Sequence, residues 1–97
     1  MPIAKIIVDK REQILQLSRQ YGVSNIRVFG SMTRDDATDD SDIDLLVDLA
    51  PDRDLFDLGA LLMDIQDLLE RKVDIVTEKA LHNPRIREQV LSEAVPL

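Results

Sequence analysis

The chain of 97 residues contains no cysteine. That excludes disulfides, thiolate metal sites and thiol nucleophiles, and it agrees with the reducing cytoplasm expected as its location. It also lacks any run near the roughly 18 consecutive apolar residues of a membrane span, so no membrane is expected among its partners. Its start, Met1-Pro2-Ile3-Ala4-Lys5, has neither the basic head nor the apolar stretch of a secretory signal. Cations are few beside acids: 12 Lys plus Arg against 19 Asp plus Glu leave a net charge of −7. A broad nucleic-acid surface is normally basic, so direct binding of nucleic acid is not expected. A nucleotide that arrives with its own metal ions remains compatible with this balance. There is no internal repeat, linker or low-complexity tail, and the length suits one domain over residues 1–97.

The periodicity alternates between helix and strand. Asp9-Lys10-Arg11-Glu12 predicts a helix start, with Asp9 as cap and Glu12 reaching back to it. Ile14, Leu15 and Leu17 give that helix an apolar face, and Gly22 can end it in a left-handed conformation. A short strand is expected from Asn25 to Phe29, a short helix over residues 31–36, and a second strand from Ile43 to Leu49. Pro51 stops the second strand. Asp54 then caps a longer helix with Leu55, Leu58, Leu61, Leu62, Ile65, Leu68 and Leu69 at helical spacing. That stripe reads as core, with a partner surface at its edge as the lesser reading. Val73 to Val76 is a third strand, and Asn83-Pro84 opens a last helix bearing Ile86, Val90, Leu91 and Ala94. The fold class expected is α/β (α+β), a small mixed three-stranded sheet packed with helices.

The informative stretch is Gly30-Ser31-Met32-Thr33-Arg34, an acidic loop, then Ser41-Asp42-Ile43-Asp44-Leu45-Leu46-Val47. Residues two apart on a strand share a side, so Asp42 and Asp44 present their carboxylates together, opposite Ile43, Leu45, Val47 and Leu49. Two carboxylates that close resist joint ionisation unless a cation sits between them. A hard divalent ion such as Mg²⁺ takes one or two carboxylates plus substrate phosphates. Taken alone, the pair reads equally well as solvated strand acids. Asp40, Asp42 and Asp44 also match the first positions of a calcium loop, but Leu45 stands at the turn glycine and Pro51 at the closing glutamate. His82 reads as a surface residue beside a helix cap. Asp48, Asp52 and Asp57 read as solvated acids or caps.

The pattern G-S-x-x-R, loop, S-D-I-D-L-L-V, helix, V-D-I-V resembles the minimal nucleotidyltransferases of the DNA polymerase β superfamily. More narrowly, it is similar to the MNT-type antitoxins encoded beside HEPN-domain toxins, and the similarity spans nearly the whole chain. The resemblance implies a polymerase β-like nucleotidyltransferase fold. It assigns Gly30 and Ser31 to the nucleotide's β and γ phosphates and gives Arg34 a phosphate contact or a structural pairing. Asp42, Asp44 and Asp74 become the catalytic, metal-binding acids, with two Mg²⁺ ions and ATP as substrate. Asp74 would also help deprotonate the attacking hydroxyl. The partner implied is a cognate HEPN toxin, held in a hetero-oligomer and modified by AMP on a tyrosine.

One departure is Asp35, where many relatives have glycine after the arginine. With Asp36, Asp39 and Asp40 it crowds the loop with negative charge, which is screened in water and so weakens nucleotide binding without abolishing it. The 97 residues end where larger superfamily members add a helical domain, so a partner or the acceptor itself is expected to supply the acceptor surface. Two other functions fit the same residues less fully: a binding-only antitoxin, and transfer to a small-molecule hydroxyl. Three clustered acids favour catalysis.

Overall fold

A computed structural model describes residues 5–33 and 41–97. Arg34, Asp35, Asp36, Asp39 and Asp40 therefore lie outside the described residues, as does the end of the helix expected over 31–36. The elements run α1 (Lys5–Asp9), α2 (Arg11–Gln20), β1 (Val23–Phe29), a 3₁₀ turn (Gly30–Thr33), β2 (Ile43–Leu49), α3 (Leu55–Leu69), β3 (Val73–Thr77), a second 3₁₀ turn (Glu78–Ala80), α4 (Pro84–Glu93) and β4 (Val95–Pro96). Among the described residues the sheet has four strands in the order β3-β2-β1-β4. The expected three are present, and the fourth is a two-residue edge strand antiparallel to β1 at Arg27 and Val28. Two residues ending in a proline carry no strand periodicity, so only the pairing reveals β4. β1 and β2 are antiparallel, whereas β2 and β3 are parallel and joined through α3.

β1 begins two residues earlier than its alternation suggests. Val23, Ile26 and Val28 are all buried although the first two are three residues apart. A register shift between Ser24 and Arg27 absorbs the extra residue, and Asn25 sits there at φ 50. Asparagine tolerates that left-handed region better than most side chains, and the bulge returns Ile26 to the core face.

The core lies between the sheet and helices α2 and α3. Ile43, Leu45 and Val47 of β2 cluster there with Ile14 of α2 and Leu61, Ile65 and Leu69 of α3. Each fully buried aliphatic side chain of this kind contributes about 1.5–3 kcal/mol relative to exposure. The expected split of β2 into one apolar and one acidic face needs a correction. Leu46 shares the side of Asp42 and Asp44 and yet is 0 % exposed. Leu46 and Val90 of α4 are buried outside the main cluster, so burial extends to the acid-bearing face of β2 at Leu46.

Three helix signals meet different fates. Asp54 caps α3 as expected, accepting from the backbone N–H of Phe56 and Asp57, while Asp57 accepts from the N–H of Asp54. Asn83 caps α4 with Pro84 in its first turn. Of the apolar residues expected to bury that helix, however, Ile86 and Leu91 are exposed and Val90 is buried. Asp9 is not the cap of α2: that position is Lys10, with no side-chain cap bond. Asp9 instead ends α1 and pairs with Lys5 at 2.7 Å, because residues 5–9 are themselves helical.

Candidate active site

The crossover from β2 to β3 through α3 brings distant acids together. In the parallel register Asp44 lies beside Asp74, so both side chains leave the same face on adjoining strands. Asp42, two residues before Asp44, projects to the same side. Asp44 is half-buried and Asp74 exposed, which leaves the group open to solvent along the β3 side.

The antiparallel register of β1 with β2 sets Phe29 opposite Asp44 and delivers Gly30 immediately beyond it. Gly30 has φ 77, and a Cβ built on it would stand 2.5 Å from Asp44 Oδ2. Glycine is therefore required twice here, by the backbone and by the carboxylate pressed against it. The 3₁₀ turn that follows buries Met32 at 3 % exposure and is closed by Thr33 Oγ1 donating to the Gly30 carbonyl at 2.8 Å. Ser31 is half-buried in the same turn.

Two cations reinforce the start of β2. Arg71 donates to the Ser41 carbonyl at 2.9 Å, and Lys72 Nζ lies 3.8 Å from Asp42 Oδ2. Neither was singled out from sequence. The available signal was spacing: Lys72 stands two residues before Asp74 and so shares its side.

Among the described residues no three His, Cys, Asp or Glu side chains converge closely enough to form a metal cage by themselves. Asp42, Asp44 and Asp74 nevertheless supply the hard carboxylate oxygens that Mg²⁺ takes, and such a site is completed by substrate phosphates and water. The cleared space where a Gly30 side chain would stand is on the Asp44 carboxylate itself. The donor set fits the ion.

Other features lie elsewhere. A hollow of about 470 Å³ at the far ends of β2 and β3 is lined by Val47, Leu49, Pro51, Arg53, Thr77 and Lys79, among others, and by none of the three acids. His82 is exposed. Asp48 accepts from Asn25 and Arg27, bracing the bulge, and Asp57 belongs to the α3 cap. Among the described residues no helix is long and apolar enough to cross a membrane.

The mixed sheet presses a glycine turn against Asp44 and sets Asp74 beside Asp44 on the neighbouring strand, the arrangement of a nucleotidyltransferase-type domain. The chain belongs to the nucleotidyltransferase domain family, whose model matches residues 10–97. It is 35% identical over 98 residues to protein adenylyltransferase MntA of Thermococcus cleftensis, covering 96% of this chain and 98% of that one. A solved structure described as a candidate minimal nucleotidyltransferase is 46% identical, with a TM-score of 0.82 over 94% of this chain and 92% of that one. A crystal structure of the toxin–antitoxin MntA–HpeT carrying a Y104A mutation is 25% identical, with a TM-score of 0.66 over 90% of this chain and 69% of that one.

Proposed function

We propose that this nucleotidyltransferase is the antitoxin of a two-protein pair. It transfers AMP from ATP, with Mg²⁺, to a tyrosine hydroxyl of a cognate HEPN-domain RNase toxin and thereby silences it. The observation that carries the reading is the register of Asp44 with Asp74, beside a glycine that Asp44 itself forbids from bearing a side chain. The likeness to protein adenylyltransferase MntA and to a toxin–antitoxin complex supports the substrate and partner classes.

In this reading Gly30 and Ser31 hold the β and γ phosphates, and Arg34, outside the described residues, contacts phosphate. Asp42, Asp44 and Asp74 would hold the magnesium, and the chemistry it would supply is neutralisation of charge on the transferring phosphoryl group. The tyrosine oxygen bonds to the α phosphorus as the bond to the bridging α–β oxygen breaks. Pyrophosphate leaves, and Asp74 accepts the phenolic proton. General-base help of this kind is worth about 10²–10⁴ in rate.

Intact-mass spectrometry of the neighbouring toxin after incubation with this protein, ATP and Mg²⁺ tests the proposal. One or a few additions of about 329 Da each are expected, the mass of an AMP unit moved by phosphoryl transfer. Asp44→Asn should abolish them while the protein stays folded. A toxin that keeps its mass, yet is bound tightly and neutralised fully by Asp42→Asn protein, would move the function to binding alone.

A further inference from the structure

The solvent-facing line of α3 has the wrong chemistry for water. Leu61, Ile65 and Leu69 turn inward, and the positions opposite them are Phe56, Gly59, Met63 and Asp67. Phe56 is 88 % and Met63 59 % exposed, where a surface helix normally carries charge. Gly59 is costly in mid-helix, and nothing among the described residues requires it: a Cβ there would meet none of their atoms within 4 Å. A glycine with no internal reason, between two exposed apolar side chains, marks a place where another backbone comes close.

We infer that this ridge is a self-complementary interface through which two copies of the chain pair, with their α3 helices antiparallel. The layout is symmetric about Gly59 and Ala60. A two-fold axis there sets Phe56 against Met63 of the second copy and Met63 against its Phe56, with the small residues at the crossing, as an isologous contact requires. Charge agrees with it. The same axis brings Arg53, whose guanidinium has donors left beyond its bond to Asp57, towards Asp67 of the second copy. The acids flanking the ridge are already engaged, Asp57 in the cap and Asp64 by the Tyr21 hydroxyl at 2.6 Å, so pairing does not stack free carboxylates. The 15 residues of α3 span about 22 Å, so the contact is a single helix pair and the dimer is expected to dissociate on dilution. Because α3 covers the sheet face opposite the acids, both candidate sites stay outward and each can receive its own acceptor. The inference does not depend on the function proposed above.

Sedimentation velocity of the full chain over about 10–300 μM tests it. The average mass should climb from 11.0 kDa toward twice that value, and climb further with added salt, which screens the repulsion of two chains of charge −7. Gly59→Arg and Phe56→Ser should stay at the single-chain mass throughout. Gly59→Arg should also melt at or above the wild-type temperature, since its side chain enters open space and a mid-helix glycine is removed, so failed folding cannot explain the loss. As the chain has no cysteine, Gly59→Cys should oxidise to a cross-linked dimer, and Glu88→Cys on α4 should not. A wild-type chain that is single at every concentration overturns the inference, as does a dimer that Gly59→Arg leaves intact. A single chain whose binding to the toxin is lost on Gly59→Arg would assign the ridge to the toxin instead.

Discussion

Gly30 carries the tightest constraint at the scale of single residues. Gly30→Ala must hold a Cβ in the left-handed region and move the Asp44 carboxylate that occupies its space. Strain of this kind costs about 1–3 kcal/mol. We expect a urea midpoint lowered accordingly and transfer activity lost by more than the folded fraction accounts for, because Asp44 is displaced. Equal losses of activity and folded protein would mean that Gly30 serves the backbone only. Tyr21 offers a titration test. Its hydroxyl donates to Asp64, and this bond, with burial and the neighbouring charges of Asp64 and Asp57, raises its pKa above the usual 10.0. The native state thus favours the protonated phenol, so the stabilisation is whole below about pH 10 and is lost as pH rises through the higher native value. Wild type should melt above Tyr21→Phe at pH 7, and the gap should close in alkaline buffer. A gap that is constant with pH would show that packing, not the hydrogen bond, separates the two proteins.

Among the elements, α3 deserves the first test because it carries β2 to β3 and so sets the register of Asp44 with Asp74. Its start is reciprocal: Asp54 accepts from two backbone N–H groups and Asp57 accepts from Asp54. Asp54→Ala should cost about 1 kcal/mol, within a usual range of about 0.5–2, read as a lower denaturation midpoint with an unchanged slope. Further along, Gln66 Oε1 accepts from the Val73 N–H at 3.1 Å and ties the end of α3 to the first residue of β3. The cap of α3 was legible because an acid at Asp54, a proline three residues before it and a leucine stripe agree. The cap of α2 was not, because Asp9 offers the right side chain while the residues before it are themselves helical. A cap motif states what a residue can do, and its neighbours decide whether the chain is free to use it.

Across the whole molecule, the start of α2 and the last residue close on each other. Arg11 donates to the Leu97 carbonyl at 3.2 Å, and the Leu97 N–H donates to the Ile26 carbonyl at 2.9 Å. Leu97 also packs on the core cluster. Deleting Val95–Leu97 removes β4 and uncovers the outer edge of β1 at Arg27 and Val28, on a strand whose ladder with β2 is already interrupted by the bulge. A loss of about 1–3 kcal/mol in urea titration is expected from a partly buried leucine and its backbone bonds. No loss would make the fourth strand an ornament of the sheet rather than a support.

The grouping of Gly30-Ser31 with Asp42, Asp44 and Asp74 rests on the family resemblance, whereas periodicity and local chemistry by themselves determined the helices α2, α3 and α4 and the strand β2 to its exact ends. Each of these is written within a few residues, as a cap, an alternation or a turn. The bulge at Asn25, the burial of Leu46 on the acidic face, the strand β4 and the attachment of Lys72 to Asp42 were decided only by the tertiary structure. They depend on what lies across a strand or beneath a helix, and residues far apart in the chain supply it. The reason for Gly30 belongs to both: its identity is local, but the carboxylate that excludes a side chain there arrives from the neighbouring strand.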